Sequence, residues 1–227
     1  MPDAHTQVRQ TQDSVRTRIV WAALVASMTA VGGGLWALRQ APSSASAGAF
    51  PAVSLTQDAP ADLNHVFDTR APVEDGRWQA IVIHHSGSRF GSPSSIHEEH
   101  LSQNLSGLGY HFVIGNGRGM ADGSIYAGYR WLDQLSGAHV SGERGRWYNA
   151  RAIAICLVGD GDSGRFTESQ LVALTQLVES LAAQYNIPPE EIHLQRQLES
   201  TSSPGRYFPE QAFRQHMVDV LNGQGQS

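Results

Sequence analysis

Residues 153–189 read IAICLVGDGDSGRFTESQLVALTQLVESLAAQYNIPP. Residues 153–158 are apolar throughout and short, the pattern of a central strand covered on both faces. The glycines and aspartates that follow are turn chemistry. Thr167 with Gln170 forms a capping box. Leu171, Leu174, Val178 and Leu181 then recur at spacings of three and four, one face of a helix. That helix ends near Asn186, because Pro188 and Pro189 cannot continue it. A buried strand, a turn and an amphipathic helix in that order indicate an α/β fold.

The same pattern extends outward. Residues 78–83 are a short run rich in Val and Ile, hence a buried strand. Residues 110–114 are another, ended by the turn signal Gly115-Asn116-Gly117. Ser95 with Glu98 is a candidate capping box for a helix through about Leu105. Pro209 opens a last helix whose buried stripe is Phe213, Met217 and Val220. The sequence therefore predicts an α/β domain over residues 71–227, a mixed central β-sheet flanked by helices.

The chain has 227 residues, 41% hydrophobic and 16% charged, enough for one domain with a substantial core. Its formal charge of −5 argues against a nucleic-acid partner, which calls for a basic face. The single cysteine, Cys156, has no partner for an intramolecular disulfide and reads as a buried strand residue. Residues 19–38 carry no charge and are long enough to span a bilayer as one transmembrane helix. Arg9, Arg16 and Arg18 precede them, so residues 1–18 are expected in the cytoplasm and the domain outside, in the cell envelope. The alternative is secretion after cleavage at Ala45-Ser46-Ala47. Residues 39–70 read as a flexible tether.

Several motifs occur in a telling order: Ile-Val-Ile-His84-His85-Ser86, Gly109-Tyr110-His111-Phe-Val-Ile-Gly, Gly137-Ala138-His139, Tyr148-Asn149, and Ser203-Pro204-Gly205-Arg-Tyr-Phe-Pro209. Together they make residues 78–209 resemble the type-2 N-acetylmuramoyl-L-alanine amidase and peptidoglycan recognition protein family. The resemblance implies that fold, peptidoglycan or muropeptides as the ligand and, in active members, one zinc ion that cleaves the amide between the lactyl group and L-alanine. Such a zinc has three protein ligands and an open position for water, whose pKa the metal lowers. Nearby donors stabilise the developing oxyanion.

Carried onto this chain, the resemblance makes His84 the first metal ligand, Tyr110 the catalytic tyrosine and Thr201 the helper residue. The second ligand position falls on Gln195, in Gln195-Arg196-Gln197. The third falls on Ser203, eight residues later and directly before Pro-Gly. A neutral amide and a hydroxyl are poor zinc ligands beside imidazole and thiolate, so zinc is expected to be weakly held or absent. His193, ten residues before Ser203, is a possible substitute ligand. His85, His139, Asn149 and Arg196 complete the set as substrate-contact candidates; His139 and Asn149 are expected in loops, and His85 on the strand face opposite His84.

Two other groups have plainer readings. His97-Glu98-Glu99-His100 spaces its histidines by three rather than the zincin's four, and reads as a partly exposed helix surface. Asp160 and Asp162 among glycines read as a strand-terminating turn rather than a calcium loop. Three functions follow: a tethered pseudo-amidase that binds peptidoglycan, an active amidase completed by His193, or a scaffold that holds an envelope protein in the old groove.

Overall fold

The computed structural model describes residues 63–224. The candidate membrane span, the cleavage motif and most of the tether lie outside them. Among the described residues, no helix is long and apolar enough to cross a membrane.

Five strands form one sheet: β1 (Ala80–His85), β2 (Phe112–Ile114), β3 (Ile125–Ala127), β4 (Ala152–Leu157) and β5 (Ile192–Leu194), in the order β3-β2-β4-β1-β5. β1 runs parallel to β4 and β5, and β2 parallel to β4, while β2 and β3 are an antiparallel pair. The sheet is thus mixed. The helices are α1 (Pro93–Ser102), α2 (Tyr129–Leu132), α3 (Gly142–Arg151), α4 (Glu168–Tyr185) and α5 (Glu210–Gln224).

Alternation along the central strands sorts side chains between two unequal faces. Ile81 and Ile83 of β1 and Ile153, Ile155 and Leu157 of β4 join Leu174, Leu177, Val178 and Leu181 of α4 and Phe213 and Met217 of α5 in the main core. The other face carries smaller side chains. Ala80, Val82 and Ala152 pack with Tyr148 and Leu198, and Cys156, Val158 and Val113 pack with Ile96 and Leu108. His84 lies on this second face, in register with Cys156.

The capping box of α4 forms between Thr167 and Gln170, and Asn186 closes the helix in the left-handed conformation. α1 starts earlier than the sequence predicts. Its N-cap is Ser92, Pro93 occupies the first turn, and Ser95 returns the reciprocal bond that the sequence reading assigned to Glu98. Serine is short, but at N3 it reaches the N-cap backbone as a glutamate would. Part of the predicted tether is folded: a 3-10 turn, Leu63–Val66, packs on the core with Val66 buried, and its carbonyl accepts from Trp131 Nε1 at 2.5 Å. Asn149 is not in a loop but near the end of α3. That helix is polar, with Gly145 its only buried residue, so it has no apolar stripe to mark it in the sequence.

Candidate functional site

His84 sits near the end of β1, fully buried. Its Nε2 faces His139 Nδ1 at 3.1 Å. His139 is held there by Asn149, whose side-chain oxygen accepts from the His139 and Val140 N–H groups at 2.9 and 3.0 Å and whose amide donates to Val140 O. Tyr110 packs against the His84 ring, centroids 5.1 Å apart, and also against His100 at 5.2 Å. His84, Tyr110 and His139 are therefore neighbours, and Asn149 positions one of them.

Burial makes both imidazoles neutral. It lowers His84 to about 4, against the nearby Gln195 amide and Glu199 carboxylate, which act the other way. Burial also holds His139 well below its ordinary value, with His84 and His111 adding repulsion. Burial pushes the Tyr110 phenol well above its ordinary range, and the neighbouring Cys156 adds to the effect. His84 Nδ1 and His139 Nε2 are buried without a hydrogen-bond partner. Two neutral rings sharing one hydrogen bond leave a lone pair on one of these outer nitrogens and an N–H on the other, whichever tautomer holds. Both atoms are closed off from solvent, one able to donate and the other to accept.

The remaining positions lie on the segment after β5. Gln195 opens a 3-10 turn, Gln195–Gln197. Its amide donates to a carboxylate oxygen of Glu199, which also accepts from the Ser141 N–H at 2.9 Å and from the Ser141 hydroxyl. Burial raises the Glu199 carboxyl, but the bonds from Ser141 and Gln195 outweigh it and leave the pKa below its ordinary value. Glu199 and Ser141 thus bridge the turn to the start of α3, a contact the sequence reading missed. Ser203 is buried, and its Oγ accepts from the His85 N–H at 3.1 Å. Thr201 Oγ1 accepts from the Ser203 N–H at 3.3 Å.

Three candidates are committed to internal structure. Arg196 donates to Gly205 O at 3.0 Å and to the Glu210 carboxylate at 2.6 Å, fastening the 203–205 turn to α5. His193 lies opposite Val82, one row short of His84 on the sheet, with Nε2 3.3 Å from Glu191 and its ring against Tyr148. His85 Nδ1 accepts from the Gly161 N–H at 2.9 Å, which ties β1 to the turn after β4. That turn presses on the Ser203-Pro204-Gly205 segment so closely that a Cβ on Gly161 would lie 1.9 Å from Pro204 O. Glycine is required there for backbone approach.

The residues present do not fit the zinc that the resemblance implies. His84 has an unpartnered ring nitrogen available, but the second and third positions offer only neutral oxygen donors, and the Ser203 Oγ already accepts from the backbone. His193 Nε2 lies 3.3 Å from the Glu191 carboxylate. Among the described residues, the one group of three His, Cys, Asp or Glu side chains close enough to share an ion is His85, Asp160 and Asp162. There the carboxylates accept from Asp162 N–H, Ser163, Ser202 and Arg206 N–H, the bonding of a closed turn.

Residues 74–206, more than half of the chain, match the family described as N-acetylmuramoyl-L-alanine amidase. Peptidoglycan-recognition protein SC2 of Drosophila simulans is 28% identical over 134 residues, covering 55% of this chain. The match spans 66% of that relative's own length, just under two thirds. Among solved structures, N-acetylmuramoyl-L-alanine amidase LysC from Clostridium intestinale is similar with a TM-score of 0.53 at 29% identity, over 65% of this chain and 91% of that one.

Proposed function

The chain belongs to the N-acetylmuramoyl-L-alanine amidase family, and from that premise we propose that it binds peptidoglycan fragments over His84 without zinc-dependent hydrolysis. One observation carries this reading. At the two altered ligand positions, Gln195 is hydrogen-bonded to Glu199 and Ser203 to the backbone of His85. What remains is a largely buried polar cluster: the neutral imidazoles of His84 and His139, each with a ring nitrogen that has no hydrogen-bond partner, and the Tyr110 ring packed on His84. Opened to a ligand, such a cluster offers one donor and one acceptor to amides and hydroxyls, the groups a muropeptide presents. The names of the relatives, a peptidoglycan-recognition protein and an amidase, support the same ligand class. We further infer that residues 19–38 tether the domain outside the cytoplasmic membrane; recovery of the full chain from membranes washed at alkaline pH tests this, and release of a chain cleaved after Ala47 would replace the tether with secretion.

The test uses the full chain in detergent, equilibrated with zinc-buffered solution. Muropeptide binding without stoichiometric zinc and without release of L-alanine-linked peptides is the expected result. Stoichiometric zinc together with peptide release that His84→Ala abolishes would overturn it. Loss of that zinc in His193→Ala would assign the substituted ligand. Capture of soluble envelope proteins but not of sacculi would instead support the scaffold reading.

A further inference from the structure

A pocket of about 250 Å³ opens where the chain leaves β4 for α4. Val158, Gly159, Asp160, Gly164, Arg165, Phe166 and Thr167 of that connection line one side. Arg89, from the segment after β1, and Asn116 and Arg118, from the β2–β3 turn, line the other. None of the ligand or substrate positions discussed above is among its walls.

Three arginines therefore share one pocket: Arg89, Arg118 and Arg165. All are exposed, and none takes part in the ion pairs found among the described residues. The loops that carry two of them are fixed to each other. Asn116 donates to Arg89 O at 3.0 Å and accepts from the Arg118 N–H at 3.0 Å, and the Gly91 N–H donates to Arg118 O at 3.0 Å. Gln170 lines the pocket as well, with its amide bonded to Ile114 O and Val158 O. The Arg118 guanidinium lies 5.4 Å from the Phe90 ring centroid. Two carboxylates are near. Asp160 lines the pocket and accepts from Asp162 N–H and Ser163, and Asp122 accepts from the Thr167 hydroxyl at 2.5 Å.

We propose that this pocket binds a phosphate group. Several cations gathered in one pocket without ion-pair partners repel one another, and an anion relieves that repulsion. Guanidinium forks match oxyanions bidentately. A single carboxylate is satisfied by one fork, whereas a phosphate dianion has oxygens enough for several. The long helix α4 directs the positive end of its dipole to the same place through its capped first turn, which favours the doubly charged ion.

The phosphate can belong to a soluble phosphomonoester or to a diester such as a phospholipid headgroup, and two probes separate these sources. Glycerol phosphate and a short-chain, water-soluble phosphatidylglycerol are titrated separately into the full chain in detergent, with malonate as the carboxylate control and thermal shift and calorimetry as readouts. Glycerol phosphate is expected to bind, with affinity falling about tenfold or more in the Arg89→Gln/Arg165→Gln double variant and falling steeply with salt. Binding of the monoester alone assigns the pocket to soluble phosphates, and equal binding of phosphatidylglycerol extends it to diesters. No binding of either phosphate, equal response to malonate, or unchanged affinity in the double variant would overturn the proposal. Muropeptide binding by that variant is expected to match the unaltered protein, which separates this pocket from the groove over His84.

Discussion

His111 shows how one buried side chain sets a property of the whole protein. Its Nδ1 accepts from the Ala154 N–H at 2.9 Å, and its Nε2, the protonated nitrogen, donates to Leu135 O at 3.1 Å. Both nitrogens are satisfied only in the neutral tautomer. Burial lowers its pKa from 6.5 to about 3, with the Leu135 bond acting the other way and Arg130 and Arg77 adding to the fall. The unfolded chain takes up the proton first, so the stability this group supports is full above about pH 6.5 and is lost as pH falls toward about 3. His84 adds a loss of the same sign between 6.5 and about 4. Thermal melts from pH 7 to pH 4 should show a falling midpoint, and His111→Asn should flatten the slope while lowering the midpoint at pH 7. A flat profile in the unaltered protein would refute the assignment of neutral buried histidines. The metal question turns on residues of the same kind. If Gln195 and Ser203 are what exclude zinc, the double variant Gln195→His/Ser203→Cys should take up about one equivalent, and either single change far less. Failure of the double variant would place the block in the Glu199–Ser141 bridge instead. Gln195 and Ser203 are assigned to ligand positions from the sequence because they sit at fixed offsets before Pro204-Gly205. Glu199 was not, because its partner Ser141 is 58 residues away.

At the scale of elements, α1 serves the site through two histidines that resemble a metal motif and are not one. His97 Nδ1 accepts from the Leu108 N–H at 3.2 Å, and His100 Nδ1 accepts from the Gly109 N–H at 2.9 Å. The i, i+3 spacing places both on one side of the helix, where they hold the segment leading into Tyr110. His100→Ala leaves a buried N–H unpaired and should cost about 1–3 kcal/mol. It should also speed amide exchange at Gly109 and Tyr110 and weaken muropeptide binding, while His97→Ala, on a more exposed neighbour, does less. Unchanged exchange at Gly109 would show that the loop holds itself. The long elements were legible where their signals are local, as with the Thr167–Gln170 box and the leucine stripe of α4. The strands β3 and β5 have three residues each, too short for a period to show. Asn149 carries a groove motif, but its helix is polar and is recognised only through the bonds it makes to His139 and Val140.

On the scale of the whole molecule, the sheet separates the bulk of the core from the candidate site by face. The side covered by α4 and α5 receives the large aliphatic residues of β1 and β4, and the side that carries His84 receives Ala80, Val82, Ala152 and Cys156. Small side chains there leave room for the His84, His139 and Tyr110 rings above the strands, while the other side supplies the bulk of the burial. The two faces should therefore respond differently to truncation. Ile155→Ala, in the main core, should cost about 2–5 kcal/mol in denaturant unfolding yet leave the muropeptide affinity of the folded fraction unchanged. Cys156→Ala, its neighbour on the opposite face, removes one buried sulfur and should cost only about 1 kcal/mol. It also removes the group beside the Tyr110 hydroxyl and in register with His84, so its effect should appear in binding. The comparison is decisive because the two residues are adjacent in the chain and both fully buried. If Ile155→Ala weakened binding as much as Cys156→Ala did, the His84 cluster would depend on the rigidity of the entire sheet, and the division of labour between its faces would have to be abandoned.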